Sequence, residues 1–222
     1  MGKNNVQKDK REATATDRTI AETLAAASPN GVARLDSPAT DPAGPPTFKD
    51  RQRALKDAYR ADPRLSRQVS SVHSVTPPNA ETGKVRIAID SEAEVVLDVG
   101  AHHSVGGIED VACSGDVFLA SLAACYEITL RLIAAASKIT INKLDLRVEG
   151  DWDAGGTLGL GPDIPVGFTN LRIVVDIDAE GPQDRIEKLG ELTERYCVIS
   201  QTIKHPPTLQ IRCQGVLVPP KR

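Results

Sequence analysis

Apolar and polar positions change period several times along the chain, and each change marks an element. Lys84–Asp90 alternates, with Val85, Ile87 and Ile89 on one side, which predicts a strand. Glu94–Val99 is a second short strand, close enough to pair with the first as a hairpin. Gly100–Cys113 reads as a loop around Gly106-Gly107. Residues 116–137 then form the most apolar segment, free of Gly and Pro and too long for a strand. Ser114 is the expected N-cap, Asp116 suits the positive end of the dipole, and Glu127 and Arg131 form an i, i+4 pair. Leu144–Trp152 and Leu171–Asp178 read as strands, separated by a Gly-rich loop, Asp153–Pro165. Gln183–Cys197 predicts a second helix with Ile186, Leu189, Thr193 and Cys197 on one face, and Thr208–Val218 a last strand. The order ββ, α, ββ, α, β separates the helices by consecutive strands, which disfavours a doubly wound parallel sheet and predicts an α+β sandwich.

The first third of the chain is different. Residues 1–46 are rich in Ala, Thr, Asp and Pro and bury too little to offset their ordering entropy, so they read as a mobile tail, with a short helix around Asp17–Ala27. Residues 47–83 read as an N-terminal helix and a connecting segment. Thr47 caps a helix running to about Ala61, with Phe48, Gln52, Leu55 and Tyr59 on one face, and Asp62-Pro63 ends it. Ser66–Val75 reads as an edge strand. The main domain is expected at 84–222.

Composition narrows the function classes. Of the 222 residues 40% are hydrophobic and only 3% aromatic, so the core must be built from Leu, Ile, Val and Ala. A net charge of -3 lacks the basic footprint of a nucleic-acid binder, so no nucleic-acid partner is expected. The first residues carry no apolar signal core, and residues 1–45 hold as many acids as bases, unlike an organellar transit peptide. A cytoplasmic protein with reduced thiols is expected. The apolar 116–137 segment holds Glu127 and Arg131 near its middle, which favours a buried helix over a membrane span.

Four cysteines, Cys113, Cys125, Cys197 and Cys213, are spaced without any Cys-x-x-Cys, so neither a zinc ribbon nor a thioredoxin-type motif applies, and sequence alone does not choose among pairings. Cys125 lies midway along the apolar helix and Cys197 closes the second one. Both suit small core residues. They also suit a peroxide-reducing pair, in which one thiolate becomes a sulfenic acid and a second thiol condenses with it to a disulfide. Cys125 lies too far along its helix for the dipole to activate it, so a neighbouring group must lower its pKa.

The blocks Gly115-Asp-Val-Phe-Leu-Ala-Ser-Leu-Ala-Ala-Cys125-Tyr-Glu-Ile-Thr-Leu and Glu194-Arg-Tyr-Cys197-Val-Ile-Ser200 resemble those of the OsmC/Ohr family of osmotically induced and organic-hydroperoxide-resistance proteins. The resemblance runs from about Lys84 to Val218. It implies an OsmC-like fold, a β-sheet packed with two main helices, in an intertwined homodimer. It makes Cys125 the peroxidatic thiol and Cys197 the resolving one, with organic hydroperoxides as substrates and an external dithiol, such as a lipoylated protein, as reductant. It implies no metal and no other cofactor.

The chain departs from that family at several positions. The family holds its reactive thiolate with an Arg from an upstream loop and a Glu near the start of the Cys helix. Here the loop Gly100-Ala-His-His-Ser-Val105 has no Arg, Asp116 stands nearest the Glu, and Val198 replaces the usual Pro. His103, or His102 beside it, would supply the missing cation if protonated, at the cost of pH dependence. A metal site at His102, His103 and Cys113 is the minor alternative for this loop. Gly155-Gly156-Thr-Leu-Gly159-Leu-Gly161 looks phosphate-like, but no helix N-terminus follows it, so a phosphate cradle fails its context test. Cys113 and Cys213 match neither block and read as structural. Three readings follow: a thiol-dependent peroxidase working through a Cys125–Cys197 disulfide, a non-enzymatic OsmC-like module that binds an apolar ligand or senses redox state, and a scaffold recruiting a partner through its N-terminal region.

Overall fold

A computed structural model describes residues 46–91, 93, 95–108 and 110–205, and the backbone of 211–213 and 216–218. The tail, except Pro46, the Asp17–Ala27 helix and the Cys213 side chain lie outside the described residues. The chain divides into two compact units, Met1–Glu81 with Val85–Asp98, and Thr82–Lys84 with Val99–Arg222.

In the first unit, α1 (Phe48–Ala61) starts at a capping box on Thr47. The Thr47 hydroxyl accepts the Asp50 N–H at 3.3 Å, and the Asp50 carboxylate accepts the Thr47 N–H at 3.2 Å. The expected Ser66–Val75 strand is much shorter. Pro63–Ser66 is instead a 3-10 turn, because the Asp62 carboxylate takes the Arg64 N–H at 3.0 Å just before Pro63 fixes its φ. Only Val72–Ser74 (β1) is extended. It pairs antiparallel with β2 (Lys84–Ile89), Val72 opposite Ile89, and β3 (Val96–Gly100) completes the order β1-β2-β3. Within β2 Ala88 is the fully buried position, at 1% exposure, Ile87 and Ile89 are half-buried, and Val85 is 44% exposed.

The second unit is built around α2 (Ser114–Ala136). Its cap is Cys113 rather than Ser114. The Cys113 sulfur accepts the Asp116 N–H at 3.3 Å, and the Asp116 carboxylate accepts the Cys113 N–H at 3.2 Å. By length and composition α2 would also suit a membrane span. It buries Leu122, Leu130 and Ala134. At its end Ser137 is the C-cap and Lys138 takes a left-handed φ of 58°. The Ile139 N–H then returns to the Ala134 carbonyl at 2.9 Å and the Lys138 N–H to that of Ala135 at 3.3 Å, a Schellman ending.

That turn delivers the chain into β4 (Thr140–Asp151), which pairs antiparallel with β5 (Thr169–Glu180) from Thr140 opposite Glu180 to Asp151 opposite Thr169. One turn, α3 (Ala154–Thr157), interrupts the intervening loop. A Cβ on Gly156 would lie 2.3 Å from the Pro165 carbonyl oxygen, so only glycine fits there. The expected single helix Gln183–Cys197 is broken at Lys188 into α4 (Gln183–Glu187) and α5 (Leu189–Tyr196). Cys197 has extended backbone and caps a further turn, α6 (Val198–Thr202). The expected Thr208–Val218 strand is a hairpin of β6 (Ile211–Cys213) and β7 (Val216–Val218).

The core of this unit is Leu130 and Ala134 from α2, Ile139 from the turn and Leu189 from α5, covered by Leu144, Val175, Ile177 and others from the strands. α2 packs on β4, on α5 and on α6. The architecture is α+β, with the two-stranded β4–β5 ribbon and the short helices α5 and α6 packed on one long helix, α2.

A lysine held at a left-handed φ costs stability that glycine does not. Lys138→Gly should therefore stabilise the protein by about 0.5–1 kcal/mol in denaturant unfolding. An unchanged or lower midpoint would mean that this turn does not hold its left-handed geometry in solution.

Candidate functional site

The break after α5 and the packing of α6 on α2 bring together two residues 72 apart in sequence. Cys125 Sγ and Cys197 Sγ lie 3.4 Å apart. Both thiols are free, and a disulfide would need about 2.05 Å between the sulfurs. They differ in access. Cys197 is fully buried at 0% exposure, whereas Cys125 is partly exposed. A small reagent therefore meets Cys125 first.

They also differ in what holds them. Cys197 is followed by Val198, Ile199 and Ser200 in the first turn of α6, and the Ser200 N–H donates to Cys197 Sγ at 3.5 Å. Burial pushes the Cys197 thiol up. The Ser200 hydroxyl and N–H, the Cys125 thiol and the Ile199 N–H together outweigh burial and hold it below the ordinary thiol value. Burial also pushes the Tyr126 phenol up, and the charges of Glu194 and Cys197 push it further, which places Tyr126 within electrostatic reach of that sulfur. On the Cys125 side, the Thr129 hydroxyl donates to the Cys125 carbonyl at 2.8 Å, and the buried Thr193 hydroxyl to the Leu189 carbonyl at 2.7 Å. These bonds satisfy the polar groups of the seam.

The remaining candidates gather elsewhere. His102, His103, Asp110, Cys113 and Asp116 line an open pocket of about 430 Å³. His102 Nδ1 accepts the Ser104 N–H at 3.1 Å, and its ring lies edge-on to Trp152 at 5.0 Å. The His103–Val105 3-10 turn closes at Gly106, whose φ is 93°, and a Cβ on Gly107 would fall 1.7 Å from the Ala101 carbonyl oxygen. Asp116 is engaged in the α2 cap. It precedes Cys125 by nine residues, roughly 13.5 Å along a helix axis. Arg131 is held by Glu127 at 2.7 Å. Within one chain the structure thus joins Cys125 to Cys197, and joins His103 to Asp116 and Cys113, as two separate groups. Among the described residues no three His, Cys, Asp or Glu side chains are placed to hold a metal ion.

Residues 109–212 match the family model described as OsmC-like protein. Over these residues the chain is similar to OsmC-like proteins. A hydroperoxide reductase of Mycoplasma pneumoniae is 27% identical over 131 residues, 59% of this chain and 86% of that protein. The crystal structure of an OsmC-like protein from the same organism is similar at 20% identity over 62% of this chain and 88% of that one, with a TM-score of 0.47. An organic hydroperoxide resistance protein OsmC from Legionella pneumophila is similar at 18% identity over 62% and 90%, with a TM-score of 0.42.

The two sequence blocks hold both cysteines of the pair, give Ser200 no role and leave Cys113 outside them as a structural residue. A cap signature finds them: in Cys113-Ser-Gly-Asp116 and Cys197-Val-Ile-Ser200 the cysteine stands where Ser or Thr caps a helix, and the fourth residue supplies the N–H it accepts.

The lowered Cys197 pKa has a signed consequence. The folded protein gives up that proton at a lower pH than the unfolded chain, so the extra stability is present above the unfolded thiol value and is lost as pH falls through the folded one. In reduced protein, stability relative to Cys197→Ala should rise as pH climbs towards about 8.5 and level off beyond it. A flat difference across that interval in denaturant titrations would show that the Cys197 thiol is not shifted.

Proposed function

We propose that the chain is a thiol-dependent peroxidase acting on organic hydroperoxides. The observation that carries this reading is the 3.4 Å approach of two free thiols, one reachable from solvent and one buried. The match of residues 109–212 to the OsmC-like family model and the similarity to a protein named hydroperoxide reductase support it.

The chemistry balances over the two sulfurs. Cys125 Sγ attacks the terminal oxygen of the hydroperoxide, and its proton crosses to the Cys197 thiolate. The O–O bond breaks, Cys125 becomes a sulfenic acid, and the leaving alkoxide takes the proton back to depart as an alcohol. The Cys197 thiolate then attacks the sulfenic sulfur, the disulfide forms as the S–O bond breaks, and the hydroxide takes a proton from solvent and leaves as water. An external dithiol, such as a lipoylated protein, returns two electrons and two protons through a mixed disulfide. In this reading the working form is a homodimer in the cytoplasm, and the exposed Ile128 on α2 is part of the surface a second copy covers.

One equivalent of cumene hydroperoxide added to reduced protein should give a Cys125–Cys197 bridge in unreduced peptide maps. Cys125→Ser should lose turnover by at least a hundredfold. Cys197→Ser should stop recycling and leave Cys125 as sulfenic or sulfinic acid. A Cys125→Ser, Cys197→Ser double variant that reduces the hydroperoxide at the parent rate would overturn the assignment.

A further inference from the structure

The helix α1 is closed at both ends and buries no residue among the described ones. The Thr47–Asp50 box starts it, and the Asp62 N–H on the Ala58 carbonyl, at 2.9 Å, ends it, so it is formed before anything covers it. At 3.6 residues per turn its side chains sort by sign. Phe48, Leu55 and Tyr59 stand on one line, with Phe48 50% and Leu55 38% exposed. Asp50 and Asp57 stand on the opposite side, where they hold Arg53 at 3.6 Å and Arg60 at 2.7 Å. Lys49 and Lys56 lie between the two lines and form no ion pair among the described residues. Arg51 flanks the apolar line from the other side, its guanidinium 5.6 Å from the centre of the Phe48 ring. From Phe48 to Arg67 there are seven Lys or Arg and three Asp, a net of +4 in a chain whose net charge is -3. The basic charge is concentrated here, and the rest of the chain is acidic.

We propose that α1 is an interfacial helix that seats the protein on an anionic lipid surface. Its pattern asks for hydrocarbon and negative charge side by side, and a layer of anionic lipids offers both. Phe48 and Leu55 enter the acyl boundary, the Tyr59 ring sits at headgroup level, and Lys49, Lys56 and Arg51 meet the phosphates. Asp50 and Asp57 face away from the surface, and the acidic remainder of the chain is repelled by it, which favours this one orientation. A nucleic acid supplies phosphates but no layer for Leu55. A groove of another protein would take successive turns of the helix as apolar anchors, and here the turn after Phe48 carries Gln52, whose amide such a groove would have to satisfy. At headgroup level that amide stays hydrated. The contact is peripheral and asks for no spanning segment. No thiol takes part in it, so the proposal stands apart from the peroxidase reading. Where both hold, α1 brings the chain to the layer into which apolar hydroperoxides partition.

The test sediments the full reduced chain with vesicles of phosphatidylcholine alone and of phosphatidylcholine with phosphatidylglycerol. The parent should bind the anionic vesicles about tenfold more tightly or better, and added salt should erase the preference. Lys49→Gln and Lys56→Gln should each weaken binding about fivefold. Leu55→Gln should weaken it about tenfold. Lys143→Gln, which removes the same charge from an exposed position of β4, should leave binding unchanged. Leu55 is exposed, so its variant should keep the parent's thermal midpoint; if it does not, the two α1 lysine variants decide on their own. Equal binding to both vesicle types, binding to neither, or equal losses at Lys56 and Lys143 would overturn the proposal. So would a Leu55→Gln variant that sediments as a smaller species than the parent without vesicles, since a second copy would then be what covers α1. Reduction of cumene hydroperoxide in solution should be the same in every variant, so a parent that fails to reduce it counts against the peroxidase reading alone.

Discussion

The seam between α2 and the helices that follow β5 governs both the core and the site. Leu130 and Ala134 fill it from one side, Leu189 and Thr193 from the other, and Ile139 closes its end. Each of these is nearly or fully buried, so the rotation and depth of α2 are fixed by packing in which a single methylene is felt. Cys125 lies on the same helix one turn after the buried Leu122, and Cys197 one turn after the buried Thr193. The sulfurs meet because the apolar residues beside them meet. The thiol pair needs no scaffold of its own: it occupies one position on each side of a contact that buries hydrocarbon.

The ends of the elements carry the rest of the precision. The Schellman turn at Ser137–Ile139 sets where β4 begins, and so sets the register of the long β4–β5 ribbon against α2. The break at Lys188 and the extended backbone at Cys197 turn the second helical region through three short pieces, and the last of these aims its donors at the sulfur. A continuous helix through Cys197 would have buried the same apolar face. It would also have consumed the N–H groups of Ile199 and Ser200 in its own backbone ladder, leaving the thiol in an apolar wall with its pKa raised rather than lowered.

That break was not legible in the sequence, and the reason is physical. Ile186, Leu189, Thr193 and Cys197 keep helical spacing across it, no Pro marks the position and a lone Gly190 does not by itself end a helix, so periodicity alone predicts one helix. The long helix, the β4 and β5 strands and the Thr47 cap of α1 were legible because each carries a strong local signal: an uninterrupted Ala/Leu run, alternation over several residues, and a capping Thr ahead of Phe48, Gln52, Leu55 and Tyr59. The cap of α2 was misread because Ser114 is a better acceptor than Cys113, yet only Cys113 has the extended backbone that presents its sulfur to the Asp116 N–H. The thiol pair was named from its two sequence blocks. Its environment was not, since Ser200 gains meaning only when the chain turns at Cys197, and the histidine loop, which the sequence offered as a cation source, gathers around Trp152 and Cys113 instead.

The distance in sequence between the two sulfurs has a consequence apart from chemistry. A bond between Cys125 and Cys197 would close a loop of about seventy residues, and in chain-entropy terms a loop of that size removes about 4 kcal/mol of freedom from the unfolded chain. That is a large part of the stability of an ordinary domain. The protein would be most resistant to unfolding and proteolysis while oxidised, and most easily cleared once reduced and idle. Its persistence would then track the oxidant load it experiences, with no regulator other than its own covalent topology.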